Sequence, residues 1–409
     1  MTSSIIITIC VLLLLAYVFD ISSAKTKIPS VILLLLLGWI VGQLTTLSGI
    51  SIPDLTPALP LLGTVGLILI VLEGALELEL NRRRLPLIGK AFLMSVVPLF
   101  AISFGLAWCF HYFTGASIKA GLSNAIPLAI ISSAVAIPSA RNLSAEHSEF
   151  VTYESSLSDI IGVLFFNFIT LNDSIDGHSV ADFFLELGVM LAVTLVATLA
   201  LAYLMSKITH HVKFMPIILI TVLIYGVAKV YHLPGLLFIL ILGLFIGNLD
   251  ELKKLRIVQR LHPEILNREA RKFKELVIEV TFLIRALFFL LFGYLIQTAE
   301  LLNVQTLAWA GGITAGIFLL RFLLLKVFRL PARPLLFIAP RGLITILLFL
   351  SIPVTQSISV VNKSLVIQVV ILTALVMMAG MMISKPTTTE SSTPAPETDE
   401  DQEEMQEQS

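Results

Sequence analysis

Apolar residues run along this chain in blocks of about twenty, separated by short polar or basic segments. A helix needs about 20 such residues to cross the hydrocarbon of a bilayer. Thirteen runs are predicted, at about 4–21, 28–46, 58–76, 87–111, 119–140, 151–171, 181–206, 213–230, 233–249, 274–298, 304–325, 335–355 and 364–384. The first lacks a preceding basic segment and a cleavage site, so it reads as a retained span rather than a signal peptide. Two runs are interrupted. The fifth breaks at Ala136-Ile137-Pro138-Ser139-Ala140 and the twelfth at Ala339-Pro340-Arg341-Gly342, since proline removes a backbone donor and frees a carbonyl. With runs 1–6 and 8–13 as two six-helix halves and run 7 as linker, the breaks correspond in halves of opposite orientation. The pattern predicts an all-α polytopic membrane protein of about 13 transmembrane helices, with two inverted six-helix repeats and broken helices 5 and 12.

Composition supports that class. Of 409 residues, 57% are hydrophobic and 13% charged, against roughly 25% charged in a soluble domain, and mean hydropathy is +0.95. A nucleic-acid binder, a collagen-like chain and a disulfide scaffold are excluded. Lys and Arg set the orientation. With the N-terminus outside, 21 of the 27 basic residues fall in inner segments, three (Lys119, Lys229, Lys363) in outer loops and three (Arg285, Arg321, Arg341) within spans. The C-terminus is then inside. The net charge of −1 combines unlike parts, because residues 386–409 carry eight acids and no Lys or Arg. That stretch, rich in Thr, Ser, Pro and Glu, is expected to be a disordered acidic cytoplasmic tail following a membrane body of residues 1–385. The basic segment 250–273 is expected to anchor on anionic lipid, with Pro263–Lys274 as a helix lying at the interface. Gly38-x-x-x-Gly42, Gly243-x-x-x-Gly247 and Gly312-x-x-x-Gly316 are expected close helix contacts.

Candidate chemistry is sparse. Cys10 and Cys109 lie in apolar runs, and His210-His211 reads as an interfacial pair. No phosphate-cradling loop, nucleophile elbow or metal-ligand spacing occurs, so neither an enzyme nor a bound cofactor is expected. Charges in mid-membrane cost about 2.5–3.5 kcal/mol each on insertion scales and are functional candidates. Asp159 lies roughly 12 Å into run 6, near the midplane. It belongs to the polar stretch Glu154-Ser155-Ser156-Leu157-Ser158-Asp159, with Asn167 two turns on. A carboxylate there can hold a proton or a small monovalent cation, but hardly both. A structural ion pair with Arg285 is the alternative. Arg321 needs a carboxylate partner, and Glu154 is the candidate for a structural strut. Arg341 is placed to neutralise half-helix C-termini at the breaks. Glu73, late in run 3, could line a funnel or cap a polar interface.

These residues resemble the monovalent cation/proton antiporter superfamily, the sodium/proton exchangers, over about residues 30–384. Leu72-Glu73-Gly74-Ala75-Leu76-Glu77-Leu78 followed by Arg82-Arg83-Arg84 looks like the family's segment ending span 3. Glu154–Asp159 is similar to its Glu-Ser-Leu-Leu-Asn-Asp signature. Arg285-Ala-Leu-Phe-Phe with Gly293, Arg321 in span 11, and Pro340-Arg341-Gly342 match further features. The resemblance implies an antiporter domain with core helices at about 87–171 and 304–384, moving against a dimerising scaffold at about 4–76 and 213–298. It implies a homodimer in the cell (inner) membrane that exchanges Na⁺ or K⁺ for H⁺ by elevator-like alternating access. Asp159 would be the shared ion and proton site, with Ser158, Ser155 and Ser133 as oxygen ligands. Two positions depart from the family. Ile137 stands where many members have an acid before Pro138, leaving Ser132, Ser133 and Ser139 as neutral oxygens. Ser158 stands where members have Asn or Asp. One acid rather than two favours one-for-one, electroneutral coupling. The alternatives are a K⁺ efflux antiporter, or a membrane sensor or scaffold that kept the fold without transport.

Overall fold

The computed structural model describes residues 2–26, 28–48, 54–78, 80, 84–141, 143–172, 177–207, 214–231, 233–252 and 263–383. The acidic tail, His210-His211 and residues 253–262 of the basic segment lie outside the described residues. The described chain is helical, without strands. In order the main helices are α1 (Thr2–Thr26), α2 (Ser30–Leu47), α3 (Ala58–Glu77), α4 (Leu85–Thr114), α5 (Ile118–Ala129), α6 (Ser133–Ala140) and α7 (Ala145–Leu171). There follow α8 (Gly177–Lys207), α9 (Phe214–Val230), α10 (Gly235–Gly247), α11 (Pro263–Tyr294), α12 (Val304–Val327), α13 (Leu343–Leu350) and α14 (Lys363–Ile383). The predicted runs coincide with these helices, the fifth with α5 and α6 together, except that the twelfth holds only the eight-residue α13 as α-helix. Among the described residues, nine helical segments are long and apolar enough to cross a membrane, counting α5 and α6 together.

Local chemistry sets the boundaries. Gly115, at φ +70°, closes α4 through its N–H to the His111 carbonyl at 2.9 Å, a left-handed position that favours glycine. Ser117 caps α5, accepting from the Ala120 N–H at 3.2 Å, and Ser144 caps α7. Helices α2, α3 and α10 pack with α11 or with one another. A Cβ on Gly38 or Gly293 would strike facing backbone of the α2–α11 pair, and one on Gly243 or Gly247 would strike α3. Helices α4, α5, α6 and α7 pack together, α12 packs on α4 and α14, and α13 reaches α3 and α5. The α5–α6 segment is buried almost throughout, so the broken helix sits at the centre. On the outside, α8 and α12 expose Leu185, Leu195, Val196 and Leu319, the apolar surface a lipid environment requires.

Three expectations are corrected. Pro263–Lys274 is not a separate interfacial helix but the first turns of the 32-residue α11. No glycine or proline interrupts residues 264–292, and buried Leu266, Ala270, Phe273 and Val277 continue one helical stripe into the apolar part. The fifth run does not break at Pro138. Residues 130–132 form the break, and Pro138 sits inside α6. Gly312 and Gly316 make no close helix contact: a Cβ on either meets nothing within 4 Å, and both line an apolar groove of about 560 Å³ between α4 and α12.

Candidate functional site

Backbone donors and acceptors that α5, α6 and the 338–342 segment do not satisfy internally have to find partners elsewhere. Three successive N–H groups at the first break do so. Ile131 donates to the Ser158 hydroxyl at 3.0 Å, Ser132 to the Pro340 carbonyl at 2.9 Å, and Ser133 to Asp159 Oδ2 at 3.2 Å. The Ser132–Pro340 bond joins the two interruptions, so the broken helices cross. That is why the break lies here rather than at Pro138: tertiary partners take the donors that would have continued the helix. Pro340 and Gly342 lie in the second interruption, and a Cβ on Gly342 would meet Val135 Cγ2 at 2.7 Å and Ser132 Oγ at 2.9 Å.

The freed carbonyls converge on one side chain. Arg341 donates from Nε to the Leu128 carbonyl at 2.8 Å, from Nη2 to Ala129 at 3.0 Å and from Nη1 to Ala339 at 2.8 Å. Its own N–H donates to Thr373 Oγ1 on α14 at 3.1 Å. The planar guanidinium fork suits several fixed acceptors. The partial negative charge at the end of α5 thus meets a permanent cation.

Glu154 and Arg321 come together beside it. Arg321 Nη1 lies 2.6 Å from Glu154 Oε1 and Nη2 lies 2.8 Å from Oε2, while Nε donates to the Leu335 carbonyl at 2.8 Å. Their side chains are 2% and 1% exposed. A bidentate pair of this kind ties α7 to α12 and to the approach of the second break.

Asp159 is 1% exposed. Ser133 holds Asp159 Oδ2 with both its N–H and its hydroxyl. Among the described residues Oδ1 has no hydrogen-bond partner, and neither do the buried hydroxyls of Ser132 and Ser156. An unsatisfied buried carboxylate oxygen at a helix crossing is a place for a proton or a cation to bind. Among the described residues no cluster of His, Cys, Asp and Glu with metal-binding geometry occurs. The serines chosen from sequence divide by role. Ser133 contacts Asp159. Ser158 accepts the Ile131 N–H, Ser155 donates to the Val151 carbonyl at 2.7 Å, and Ser139 donates to Val135 at 2.7 Å. Ser156 was not singled out. Its hydroxyl faces Gly74 on α3 with the Ile137 side chain beside it, and its position three residues before Asp159 was the available signal.

Arg285 is not brought to Asp159. It lies on α11 within electrostatic reach of Glu73, Asp20 and Arg141. Glu73, 5% exposed, accepts from Arg141 Nη2 at 3.5 Å, and Arg141 Nη1 lies 3.8 Å from Asp20 Oδ2. Ser30 donates to Asp20 at 3.1 Å. This second charged group joins α1, α3 and α11 to Arg141, the residue that ends α6.

The fold also has known relatives. Two solved structures of the sodium proton antiporter MjNhaP1 from Methanocaldococcus jannaschii are similar in fold. One, at pH 8, is 17% identical and superposes with a TM-score of 0.69 over 91% of this chain and 98% of that one. The other, from electron microscopy, is 19% identical, with a TM-score of 0.68 over 94% and 95%. No curated protein matches by sequence. The family model for the transmembrane part of the sodium/hydrogen exchangers matches residues 10–388. The chain therefore belongs to the sodium/hydrogen exchanger family, a family of membrane transporters.

Proposed function

We propose that this protein exchanges a monovalent cation, Na⁺ in the first place and K⁺ as a second substrate, for H⁺. Asp159 is the shared site. The observation that carries this reading is the buried Asp159 carboxylate, one oxygen held by Ser133 and the other without a protein partner, at the crossing of two broken helices. Proton and cation compete for that free oxygen, and the competition couples their movements. With one such acid and Ile137 in place of a second, each cycle exchanges one cation for one proton and moves no net charge. Ser133 supplies a neutral oxygen, while the hydroxyls of Ser155 and Ser158 mainly hold backbone.

The helices containing the crossing, α4–α7 and α12–α14, form the moving core. Helices α1–α3 and α9–α11 form the scaffold, and the core slides against it in an elevator-like cycle. The N-terminus is outside and the C-terminus inside an inner, cell-bounding membrane, and two copies associate through the scaffold. Glu73 and Arg141 lie on the inner side of the core–scaffold boundary, where Glu73 lines the approach to the site.

Purified protein in vesicles with an internal pH dye tests this. Addition of Na⁺, K⁺ or Li⁺ is expected to drive a pH change that Asp159→Asn abolishes and that membrane potential does not alter. Unchanged exchange in Asp159→Asn would remove the assignment. A complete absence of exchange in the wild type would favour the sensor reading, which the apolar Ile137 supports.

A further inference from the structure

A cavity of about 210 Å³ lies between the end of α7, the start of α8 and Pro234 at the start of α10. It is lined by Asn167 and Asn172 from α7 and its cap, by Glu186 of α8, and by apolar Leu171 and Phe183. Glu186 sits within an apolar membrane-spanning stretch, Ala181–Met205, where a carboxylate is costly unless it has a role. It has no ion pair or hydrogen bond among the described residues, and the Asn167 side chain has none either. Asn172 spends its amide on the Phe168 carbonyl at 2.9 Å and keeps its carbonyl oxygen. The cavity thus presents one carboxylate and two carboxamide oxygens, and among the described residues no cationic side chain lines it.

Its place on α7 gives it a purpose. Ser156, whose hydroxyl faces α3, and Asn167 are eleven residues apart, which is three turns to within about 20° and roughly 16 Å of rise. By helical spacing Asn167 lies on the same face of α7 as Ser156, with Ile160 and Val163 on that face between them. The cavity is therefore at the end of the core–scaffold boundary reached from the C-terminus of α7, two turns beyond Asp159.

We propose that this cavity is a cation-binding vestibule in which Glu186 collects the monovalent cation before it passes Ile160 and Val163 to Asp159. The proposal rests on the exchange reading for its substrate, but its chemistry is testable separately. Clefts lined by one sign of charge raise local counter-ion concentration, so removing Glu186 weakens capture on one face of the membrane only.

The test uses full-length protein in vesicles, with cation titrated on one side at a time. Glu186→Gln is expected to raise the half-saturating Na⁺ concentration about three- to ten-fold on the face at which α7 ends. The opposite face should stay within about two-fold, and Glu186→Asp should restore most of the difference. A second readout needs no transport. In a Cys10→Ser, Cys109→Ser background, Leu171→Cys reports the face and the local potential through its reaction with impermeant thiosulfonates. The cationic reagent should outpace the anionic one, after normalisation to a free thiol, and Glu186→Gln should erase the preference. Equal shifts on both faces, or a reagent preference unmoved by Glu186→Gln, would overturn the proposal. A wild type that exchanges nothing but keeps the reagent preference would defeat the exchange reading and leave the vestibule standing.

Discussion

Glu154 and Arg321 offer the most quantitative prediction. Truncating Glu154 to Ala leaves a guanidinium that is 2% exposed with its two carboxylate contacts gone. Breaking one side of a buried pair costs about 3–5 kcal/mol, because the stranded charge cannot be solvated. Arg321→Met strands the carboxylate instead, but that group can neutralise itself by taking up a proton. A smaller loss of about 2–4 kcal/mol is expected. In Glu154→Gln with Arg321→Met no charge is stranded. The main remaining defect is the Leu335 carbonyl, which loses its 2.8 Å donor, and one unsatisfied carbonyl costs about 1–3 kcal/mol. The double variant should therefore be more stable than Glu154→Ala, by about 2 kcal/mol. Thermal unfolding in detergent, followed in a Cys10→Ser background by a thiol-reactive dye reporting Cys109, measures this. Glu154→Ala should lower Tm on the order of 5–10 °C, and the double variant should recover at least half. A double variant no more stable than Glu154→Ala would refute the strut, since removing a second group that acted independently could only add to the loss.

Two further outcomes follow from the crossing. Arg341→Lys keeps the charge but replaces a three-way fork by one ammonium. At least one of the Leu128, Ala129 and Ala339 carbonyls loses its donor, with a loss of about 1–3 kcal/mol each in unfolding and a parallel fall in exchange rate; wild-type stability would mean that charge alone suffices. Gly342→Ala and Gly312→Ala should move stability in opposite directions. The first overpacks Val135 and Ser132 at a cost of about 1–3 kcal/mol, whereas the second faces open space within a helix and gains roughly 0.5–1 kcal/mol in propensity. Equal shifts in Tm would count against the close approach at the crossing.

Much of this was legible in sequence, because bilayer-length helices follow from apolar runs and buried arginines demand acids. That Arg321 needs a buried acid could be anticipated on that ground, with Glu154 as the candidate. The break in the fifth run could not be located, because its cause lies elsewhere in the chain. Pro138 carries the local signal, yet α6 tolerates it. Ile131, Ser132 and Ser133 have no local reason to leave a helix and do so because Ser158, Pro340 and Asp159 take their donors. The partner of Arg285 was equally hidden. Distance along the chain says nothing of which carboxylate α11 meets, and only packing against α1 and α3 turns it to Asp20 and Glu73. Gly312-x-x-x-Gly316 has the same spacing as the glycine pairs that do pack, and nothing in the local sequence distinguishes a filled groove from an open one.

The buried charges, taken together, argue for the valence of the cargo. Glu73 and Asp20 balance Arg141 and Arg285 within one network. Glu154 balances Arg321, and Arg341 is spent on three carbonyls at the ends of broken segments. Asp159 is left with Ser133, a neutral partner, and among the described residues no basic side chain is in contact. Isolated charge in a low-dielectric interior is strongly unfavourable, so the carboxylate is stable when one unit of positive charge joins it. A proton or a monovalent cation supplies that unit. A divalent cation would leave an uncompensated charge beside helix ends already served by Arg341, and the single oxygen left open on Asp159 offers few ligands to repay its dehydration. Ca²⁺ or Mg²⁺ outside the vesicles should therefore fail to drive proton movement under conditions in which Na⁺ does. Proton efflux driven by either divalent ion and abolished by Asp159→Asn would contradict this charge balance.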